Sequence, residues 1–398
     1  MGAAHAQERA GRPRLPSINR PIIARVLVIA GLLVVALFVF PATLGGDWIN
    51  TFTSVAIYST VAAGLVVLYG RVGMISLGQI AILAIGTWVA TRLTFATNLP
   101  FPVLLLVTGA ITCAIGVLIG LPALRLSGLY LALITLMAAG AVNVVLAQIQ
   151  FPNGGGGFTG RTDQPSAIGL KAVPRPKWAL GDNAYYRYVV VVCALMFLLV
   201  LLHFASKPGR GWAAIRESEP AALAAGINIT LYKLWAFALA SFITGVAGCL
   251  LAAQIGQPNT YSFPTSDSLS LIATALIGGI FTLWGAIVAG VFMQLLPFLF
   301  QAQWGVNPNF LLIVFGCGLL QVLLSAPGGL TNQFPKDMAN LGRLIARKVP
   351  LTRQAAFGIA SILALIVGIV LIITLKSAPI VGIIVVVLSP VFASLSQD

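Results

Sequence analysis

Charged residues are scarce in this chain. They make up 8% of its 398 residues, whereas hydrophobic residues make up 59%, and the mean hydropathy is +1.00. This composition excludes an ordinary soluble globule. Many charge-free runs reach the roughly 20 residues that a helix needs to cross a bilayer, and the short alternating segments of a membrane barrel are absent. The sequence therefore predicts an all-α polytopic membrane protein.

Acidic residues and histidines are few. The nine acids all fall in loops, tails or at the ends of the expected spans, and of the two histidines only His203 lies in a span, near its end. A proton-driven carrier normally buries an ionisable group near the bilayer midplane. We expect His203 to be a capped or snorkelling side chain instead. This distribution argues against proton-coupled transport.

The chain also lacks a phosphate-binding loop of the form G-x-x-x-x-G-K-[ST]. A G-x-G-x-x-G pattern occurs at Gly155, Gly157 and Gly160. It follows no predicted strand and opens no predicted helix, so we interpret it as a flexible external turn and not as a dinucleotide site. If ATP drives this protein, a separate subunit binds it.

Cysteine is sparse and dispersed, with each of the four residues in a different apolar run. These residues are Cys113, Cys193, Cys249 and Cys317. Their spacing indicates neither a metal cluster nor a disulfide framework, so we interpret them as small core residues. Two histidines cannot supply a Ser/His/Asp or Cys/His arrangement. The sequence therefore predicts no enzyme activity, and no metal or cofactor bound by this chain.

The net charge of +14 comes from Lys and Arg spread among the short polar segments between apolar runs. This pattern argues against nucleic acid and for cytoplasmic loops that face anionic lipid. The basic amino-terminal arm is accordingly expected in the cytoplasm. The expected spans cover residues 26–40, 48–70, 74–91, 101–121, 128–148, 188–204 and 234–253, three crossings within 268–335, and finally 356–375 and 380–392.

Ten of these spans form the predicted main bundle, and the last two form a carboxy-terminal hairpin. The predicted domains are a basic cytoplasmic arm (1–21), a transmembrane permease domain (22–329), a basic cytoplasmic linker (330–354) and the apolar hairpin (355–398).

A polar island interrupts the apolar runs at residues 209–233, GRGWAAIRESEPAALAAGINITLYK. Its alanines favour helix, and its charges offer contacts to a soluble partner. We define residues 207–230 as the coupling segment. Arg216 and Glu217 are the expected charge contacts, Ala213, Ala214 and Ala222 allow close packing, and Gly226 ends the helix. The full predicted contact set is Gly209, Arg210, Ala213, Ala214, Arg216, Glu217, Glu219, Ala222 and Gly226. An amphipathic segment lying on lipid is the alternative.

Paired glycines mark places where membrane helices can break. Ser76, Gly78 and Gln79 lie beside one such place, and Gly278 and Gly279 form another. These five residues are candidates for the lining of a translocation path. Ser76 and Gln79 could equally bridge neighbouring helices.

Five segments, in this order, resemble the inner-membrane permease subunits of bacterial ABC importers for branched-chain amino acids and related small polar compounds. They are GRVGMISLGQIAILAIGTWVA from Gly70, LPALRLSGLYLALITL from Leu121, GGGGFTG from Gly154, the stretch beginning GRGWAAIRESEPAALAAG from Gly209, and SLSLIATALIGGIFTLWGAIVAG from Ser268. The resemblance covers roughly residues 48–329.

The resemblance implies one half of a translocation path that alternates between outward and inward openings. The implied partners are a second permease, two cytoplasmic ATPases that bind ATP and Mg²⁺, and an external substrate-binding protein. Pro220 departs from the family pattern and predicts two short helices in the coupling segment, the second starting at Glu219-Pro220. A passive channel and a structural membrane scaffold are the competing functions.

Overall fold

The computed structural model describes residues 31, 33–43, 45–123, 128–155, 157–161, 172–303, 313, 315–320, 329 and 331. Within these residues all regular secondary structure is helical, as the composition predicts. The chain divides into two units, one up to Gly45 and the other from Gly46 onward. The first unit contains a π-helical turn at Val35–Val39 and a short helix, α1, at Phe40–Thr43.

The second unit consists of long apolar helices joined by short ones. Its helices are α2 (Gly46–Leu65, continued by a π-helix at Val66–Val72), α3 (Gln79–Ala96), α4 (Phe101–Ala123), α5 (Gly128–Ile149), α6 (Asp182–Ala205), α7 (Lys207–Glu217), α8 (Glu219–Ala224), α9 (Ile229–Ile255), α10 (Ser266–Gly278) and α11 (Leu283–Gly290, continued by short π- and α-helical turns to Gln303). Seven helical segments of the described chain are long and apolar enough to cross a membrane. Each of the six spans predicted between residues 48 and 253 coincides with one of them.

Helix α10 corrects one expectation. With 13 residues it is only about 20 Å long at 1.5 Å per residue, and a bilayer core is about 30 Å thick. The first of the three crossings predicted in 268–335 is therefore not a full crossing, although the predicted break at Gly278 and Gly279 is confirmed. The third crossing lies almost entirely outside the described residues, as do the basic arm, the basic linker and the terminal hairpin. The count of ten spans stays a prediction.

Small residues bring α9 against its neighbours. A Cβ added to Gly245 would lie 2.5 Å from Cβ of Thr112 on α4, and one added to Gly86 on α3 would lie 2.9 Å from Cα of Gly245. Such close approach is how membrane helices gain packing energy where lipid gives no hydrophobic driving force. The apolar stretch of α9 is 89% buried and that of α6 only 22%. Helix α9 is thus the centre of the bundle, and α6 lies at its rim.

The two ends of this bundle are distinguished by the segments that bind to the two ends of α2. Arg216 of α7 donates from Nη1 to the carbonyl oxygen of Gly70, at the π-helical end of α2 (2.6 Å). We call this the coupling end. At the first residues of α2, the Gln254 side-chain amide donates to the carbonyl oxygen of Asn50 (2.9 Å) and to Ser54 Oγ (2.8 Å). We call this opposite end, with residues 150–161 and 256–265, the loop end.

Candidate functional site

The coupling segment folds as two short helices, which confirms the prediction made from Pro220. Proline lies in the first turn of both α7 and α8, where its missing N–H costs nothing. Ser218 caps α8, because its Oγ accepts a hydrogen bond from the N–H of Ala221 (3.3 Å). The sequence thus breaks the segment at Ser218 and starts a new helix at once.

Gly226 ends α8, as predicted. Its φ of +79° lies in the left-handed region that favours glycine. Its N–H donates to the Leu223 carbonyl (2.9 Å), and the N–H of Ile227 donates to the Ala222 carbonyl (3.0 Å). These two bonds form a Schellman motif, which satisfies carbonyls that would otherwise lack a partner.

One face of α7 is fixed to the bundle. Trp212 is fully buried, and its Nε1 donates to the carbonyl oxygen of Tyr232 (2.8 Å). The His203 ring stacks on Trp212 with centroids 6.3 Å apart, and Nδ1 of His203 lies 2.8 Å from the Leu199 carbonyl oxygen. A Cβ on Gly209 would collide with the carbonyl oxygens of His203 and Phe204. The end of α6, the start of α9 and helix α7 therefore form one packed unit.

Arg216 joins this unit to two other parts of the coupling end. Besides its bond to Gly70, its guanidinium carbon lies 4.5 Å from the ring centroid of Phe281, which follows the glycine break between α10 and α11. A Cβ on Gly70 would collide with the Ile280 carbonyl oxygen, so the end of α2 also lies directly on this break. Arg71 adds a cation–π contact to Phe204 of α6, at 4.3 Å. Helix α7 is thus in contact with both α2 and the α10–α11 break.

An ion pair between a buried lysine and an exposed glutamate holds α8. Lys233 Nζ lies 2.7 Å from Oε1 of Glu219, and Lys233 is only 5% exposed. A charge buried to this degree needs a paired partner, which Glu219 provides. Sequence reasoning gave Lys233 no role. A signal was present, because Lys233 is a lone charge directly before the apolar run of α9.

The predicted contact residues therefore separate into two groups. Gly209, Ala222 and Glu219 act within the chain, and Ala222 is only 2% exposed, so its close packing is with the chain's own helices and not with a partner. Arg210, Ala213 and Glu217 are exposed, and their spacing of three and four residues places them on one face of α7. Arg216 is exposed but is bound within the chain, and Ala214 is half-buried. On α8, Leu223 is 63% exposed and extends this face.

The candidate path residues Ser76, Gly78 and Gln79 lie in two different surroundings. Gln79 is buried, and its Oε1 accepts a hydrogen bond from Thr244 Oγ1 of α9 (2.9 Å). Gln79 thus connects α3 to α9, and its place in a translocation path stays a prediction. Ser76 is buried too, and with Gly78 it borders a cavity of about 10 Å³, with room for about one water molecule.

Gly278 and Gly279 form the backbone break after α10, where Gly279 has a φ of +105°. The carbonyl oxygen of Gly278 accepts a hydrogen bond from Thr331 Oγ1 (2.7 Å). A Cβ on Gly278 would lie 2.5 Å from the carbonyl oxygen of Gly285, so the chain folds back tightly here. These two residues shape a turn next to Arg216 and Phe281. Their place in a translocation path stays a prediction.

The glycine-rich segment at the loop end is a turn, as predicted, but it is anchored. Arg92 of α3 donates from Nε to the Phe158 carbonyl (2.9 Å) and from Nη2 to the Gly157 carbonyl (2.5 Å). Trp88 donates from Nε1 to the Gln150 carbonyl (2.9 Å). Two side-chain hydrogen bonds from α3 thus hold the segment itself and a third holds Gln150 before it, while the flexibility of the turn stays a prediction.

A cleft of about 490 Å³ opens between this anchored segment and residues 256–261. Phe151 and Pro152 line its apolar part, and Arg161 and Tyr261 lie at its edge. Among the described residues, no group of three or more His, Cys, Asp or Glu is placed to hold a metal ion. All four cysteines are free thiols.

Comparison with known proteins gives a consistent result. The family model described as the permease component of the branched-chain amino acid transport system matches residues 48–323, well over half of the chain. The chain is 29% identical over 295 residues to the high-affinity branched-chain amino acid transport system permease protein LivM of Salmonella typhimurium, a match that covers 70% of this chain and 69% of that protein.

Two further relatives come from Escherichia coli: LivM is 28% identical over 295 residues, covering 70% of this chain and 69% of LivM. The permease protein LivH is 23% identical over 302 residues, covering 71% of this chain and 94% of LivH. No solved structure matches the chain significantly. A permease component is a transport subunit and not an enzyme. The chain belongs to the family of permease components of branched-chain amino acid transport systems.

Proposed function

We propose that this chain is one permease subunit of an ATP-driven importer that moves branched-chain amino acids or related small polar compounds across a bacterial inner membrane by alternating access. In this proposal the coupling end and the amino terminus lie in the cytoplasm. The chain works with a second permease, two ATPases that bind ATP and Mg²⁺, and an external substrate-binding protein. The relatives that are branched-chain amino acid permeases support the cargo class.

The observation that carries the proposal is the two-sided construction of α7. Its outer face presents Arg210, Ala213 and Glu217, which offers charges and a small side chain to a soluble partner. Its inner face contacts the end of α2 and the α10–α11 break through Arg216. A force applied to the outer face therefore reaches two membrane helices directly.

The experiment separates these two faces. We expect Glu217→Lys to reduce co-purification of the ATPases by about tenfold, because it reverses a charge in the contact. We expect Arg216→Ala to leave co-purification within about twofold of wild type but to abolish ATP-dependent uptake in proteoliposomes, because the contact remains and the link to Gly70 is lost. Both variants are measured in the complete transporter.

Asp47→Lys is the matched control, since it makes the same charge reversal at an exposed acid in the first turn of α2, at the loop end of the bundle. Normal association of Glu217→Lys would contradict the docking face. Normal uptake by Arg216→Ala would contradict the link. The passive-channel alternative predicts solute entry into vesicles that contain this chain alone, and the scaffold alternative predicts no flux with any set of partners.

A further inference from the structure

The cleft at the loop end has the size of a small-molecule site. Its volume of about 490 Å³ lies within the roughly 300–1,000 Å³ that such sites usually enclose. Two separate segments of the chain face each other across it. We call residues 150–161 the first wall and residues 256–261 the second wall. A concave space of this size favours a small solute as its occupant.

The first wall is closely packed up to the residue at its edge. The carbonyl oxygen of Gly160 accepts a hydrogen bond from the N–H of Asn153 (3.0 Å), which closes the glycine-rich turn. A Cβ on Gly160 would lie 3.2 Å from Cβ of Pro152, so the two strands of this turn are in contact. The backbone that carries Arg161 is therefore fixed beside the apolar part of the cleft.

Gln150, where α5 passes into the first wall, has a backbone conformation that side chains rarely adopt. Its φ of +52° lies in the left-handed region, and in the described part of the chain it is the only non-glycine residue with a positive φ. Its N–H donates to the Leu146 carbonyl (2.8 Å), and its own carbonyl accepts from Trp88 Nε1 (2.9 Å). Backbone strain of this kind is concentrated at functional sites. Gln150 also lines the cleft, so the strain lies at the candidate site itself.

The second wall follows the end of α9 and is bound to the same point of α5. Thr260 Oγ1 donates to the Leu146 carbonyl (3.3 Å), so one carbonyl oxygen accepts a hydrogen bond from each wall. At the other end of this wall, the Gly256 carbonyl accepts from the Val173 N–H (2.8 Å). Tyr261, which is 94% exposed, lies at the open edge. The main chain of α5 thus sets the separation of the two walls.

The lining of the cleft combines one positive charge with an apolar surface. Of the described residues that line it, Arg161 carries the only charge. Phe151, Pro152 and Pro258 supply apolar surface. A guanidinium binds a carboxylate through two parallel hydrogen bonds, and apolar walls receive an apolar side chain. The cleft therefore fits a small solute that carries both a carboxylate and an apolar group.

We propose that this cleft is an entry site for the transported solute, in which Arg161 pairs with the carboxylate and the apolar side chain lies against Phe151, Pro152 and Pro258. This inference rests on the proposed function and deepens it, because it gives the permease its own solute site at the end opposite the coupling segment. The concave shape of the cleft favours the solute over an acidic side chain of the external binding protein as the partner of Arg161.

The first test measures equilibrium binding of labelled leucine to the purified complex of permeases and ATPases in detergent, without ATP or binding protein. We expect Arg161→Gln to weaken binding by about tenfold or more, because a charge-assisted pair is lost. Arg161→Lys keeps the charge but not the planar fork, so it should retain part of the binding. Lys177→Gln is the matched control, since Lys177 is an exposed cation outside the lining of the cleft.

A change in the ligand gives the same comparison from the other side. Leucinamide lacks the carboxylate, so it should bind the wild-type complex about as weakly as leucine binds Arg161→Gln. Equal binding of leucine and leucinamide, wild-type binding by Arg161→Gln, or no saturable binding by the wild-type complex would overturn the proposal. So would an Arg161→Gln variant that loses association with the external binding protein but keeps its affinity for leucine.

The second test locates the bound solute. Tyr261→Cys places a thiol at the open edge of the cleft, and a charged maleimide measures its accessibility in the same complex. We expect leucine to slow this labelling several-fold and leucinamide to slow it much less. Lys177→Cys is the control and should be labelled at the same rate with and without leucine, and the wild-type complex gives the background from the native thiols. Equal protection at both positions, or none at Tyr261→Cys, would overturn the site.

The entry site and the proposed function fail separately. If the complete transporter takes up leucine with ATP but leucine neither needs Arg161 nor protects Tyr261→Cys, the entry site is wrong and the importer stands. If leucine binds in the cleft through Arg161 but no ATP-dependent uptake occurs, the importer is wrong and the cleft remains a binding site.

Discussion

The two ends of the bundle fix their connecting segments in different ways. At the coupling end, α7 and α8 are joined to α9 by a buried tryptophan and an ion pair, and to α2 by a hydrogen bond from an arginine to the main chain. At the loop end, Trp88 and Arg92 of α3 donate hydrogen bonds to the backbone carbonyls of residues 150, 157 and 158, and the ring of Phe151 stacks on Phe263. The first arrangement suits an element that passes motion between helices. The second fixes one wall of the cleft through main-chain carbonyls.

The largest loss of stability is expected at the coupling end, when Trp212 is replaced. Trp212→Ala removes a fully buried side chain and its hydrogen bond to Tyr232, so we expect a loss of about 4 kcal/mol in the stability of the coupling end. Hydrogen exchange of residues 207–230 in detergent measures the loss. Leu223→Ala, at an exposed position of α8, is the control and should change exchange little. Unchanged exchange in Trp212→Ala would show that α7 is not anchored through this side chain.

The ion pair gives the next effect. Glu219→Ala leaves Lys233 buried without a partner, and we expect it to destabilise α8 by about 2 kcal/mol, less than for a fully buried pair because Glu219 is partly exposed. Lys233→Met removes the charge and keeps most of the volume, so the double variant should recover most of the loss. Melting temperature in detergent distinguishes the three variants. A double variant no better than Glu219→Ala would contradict a charge-based explanation.

The smallest effect is expected at the loop end. Arg92→Ala removes two hydrogen bonds to exposed carbonyls. We expect it to lower the local stability of residues 150–161 by about 1–2 kcal/mol and to leave the rest of the bundle unaffected. Limited proteolysis should cut this segment faster, while the melting temperature of the bundle stays unchanged. Lys177→Ala, at an exposed position outside this segment, is the control. A global loss of stability would mean that the loop end is as tightly integrated as the coupling end.

Local sequence signals predicted the local structure well. Pro220 predicted that the coupling segment forms two helices, and Gly226 predicted where the second helix ends, because both residues act on the backbone within one turn. The bond from Arg216 to Gly70 spans 146 positions, and nothing near either residue specifies it. The hydrogen bond from Asn143 of α5 to Thr265, just before α10, likewise spans 122 positions. Contacts of this kind depend on the packing of α2, α5 and α10, which composition does not encode.

The contact between Gly70 and Ile280 limits how a membrane opening can form. Because not even a methyl group fits between this pair, we expect the adjoining ends of α2 and α10 to turn together and not to slide past each other. Under the proposed function, a gap at the coupling end would then open away from this contact, while the contact itself stays closed.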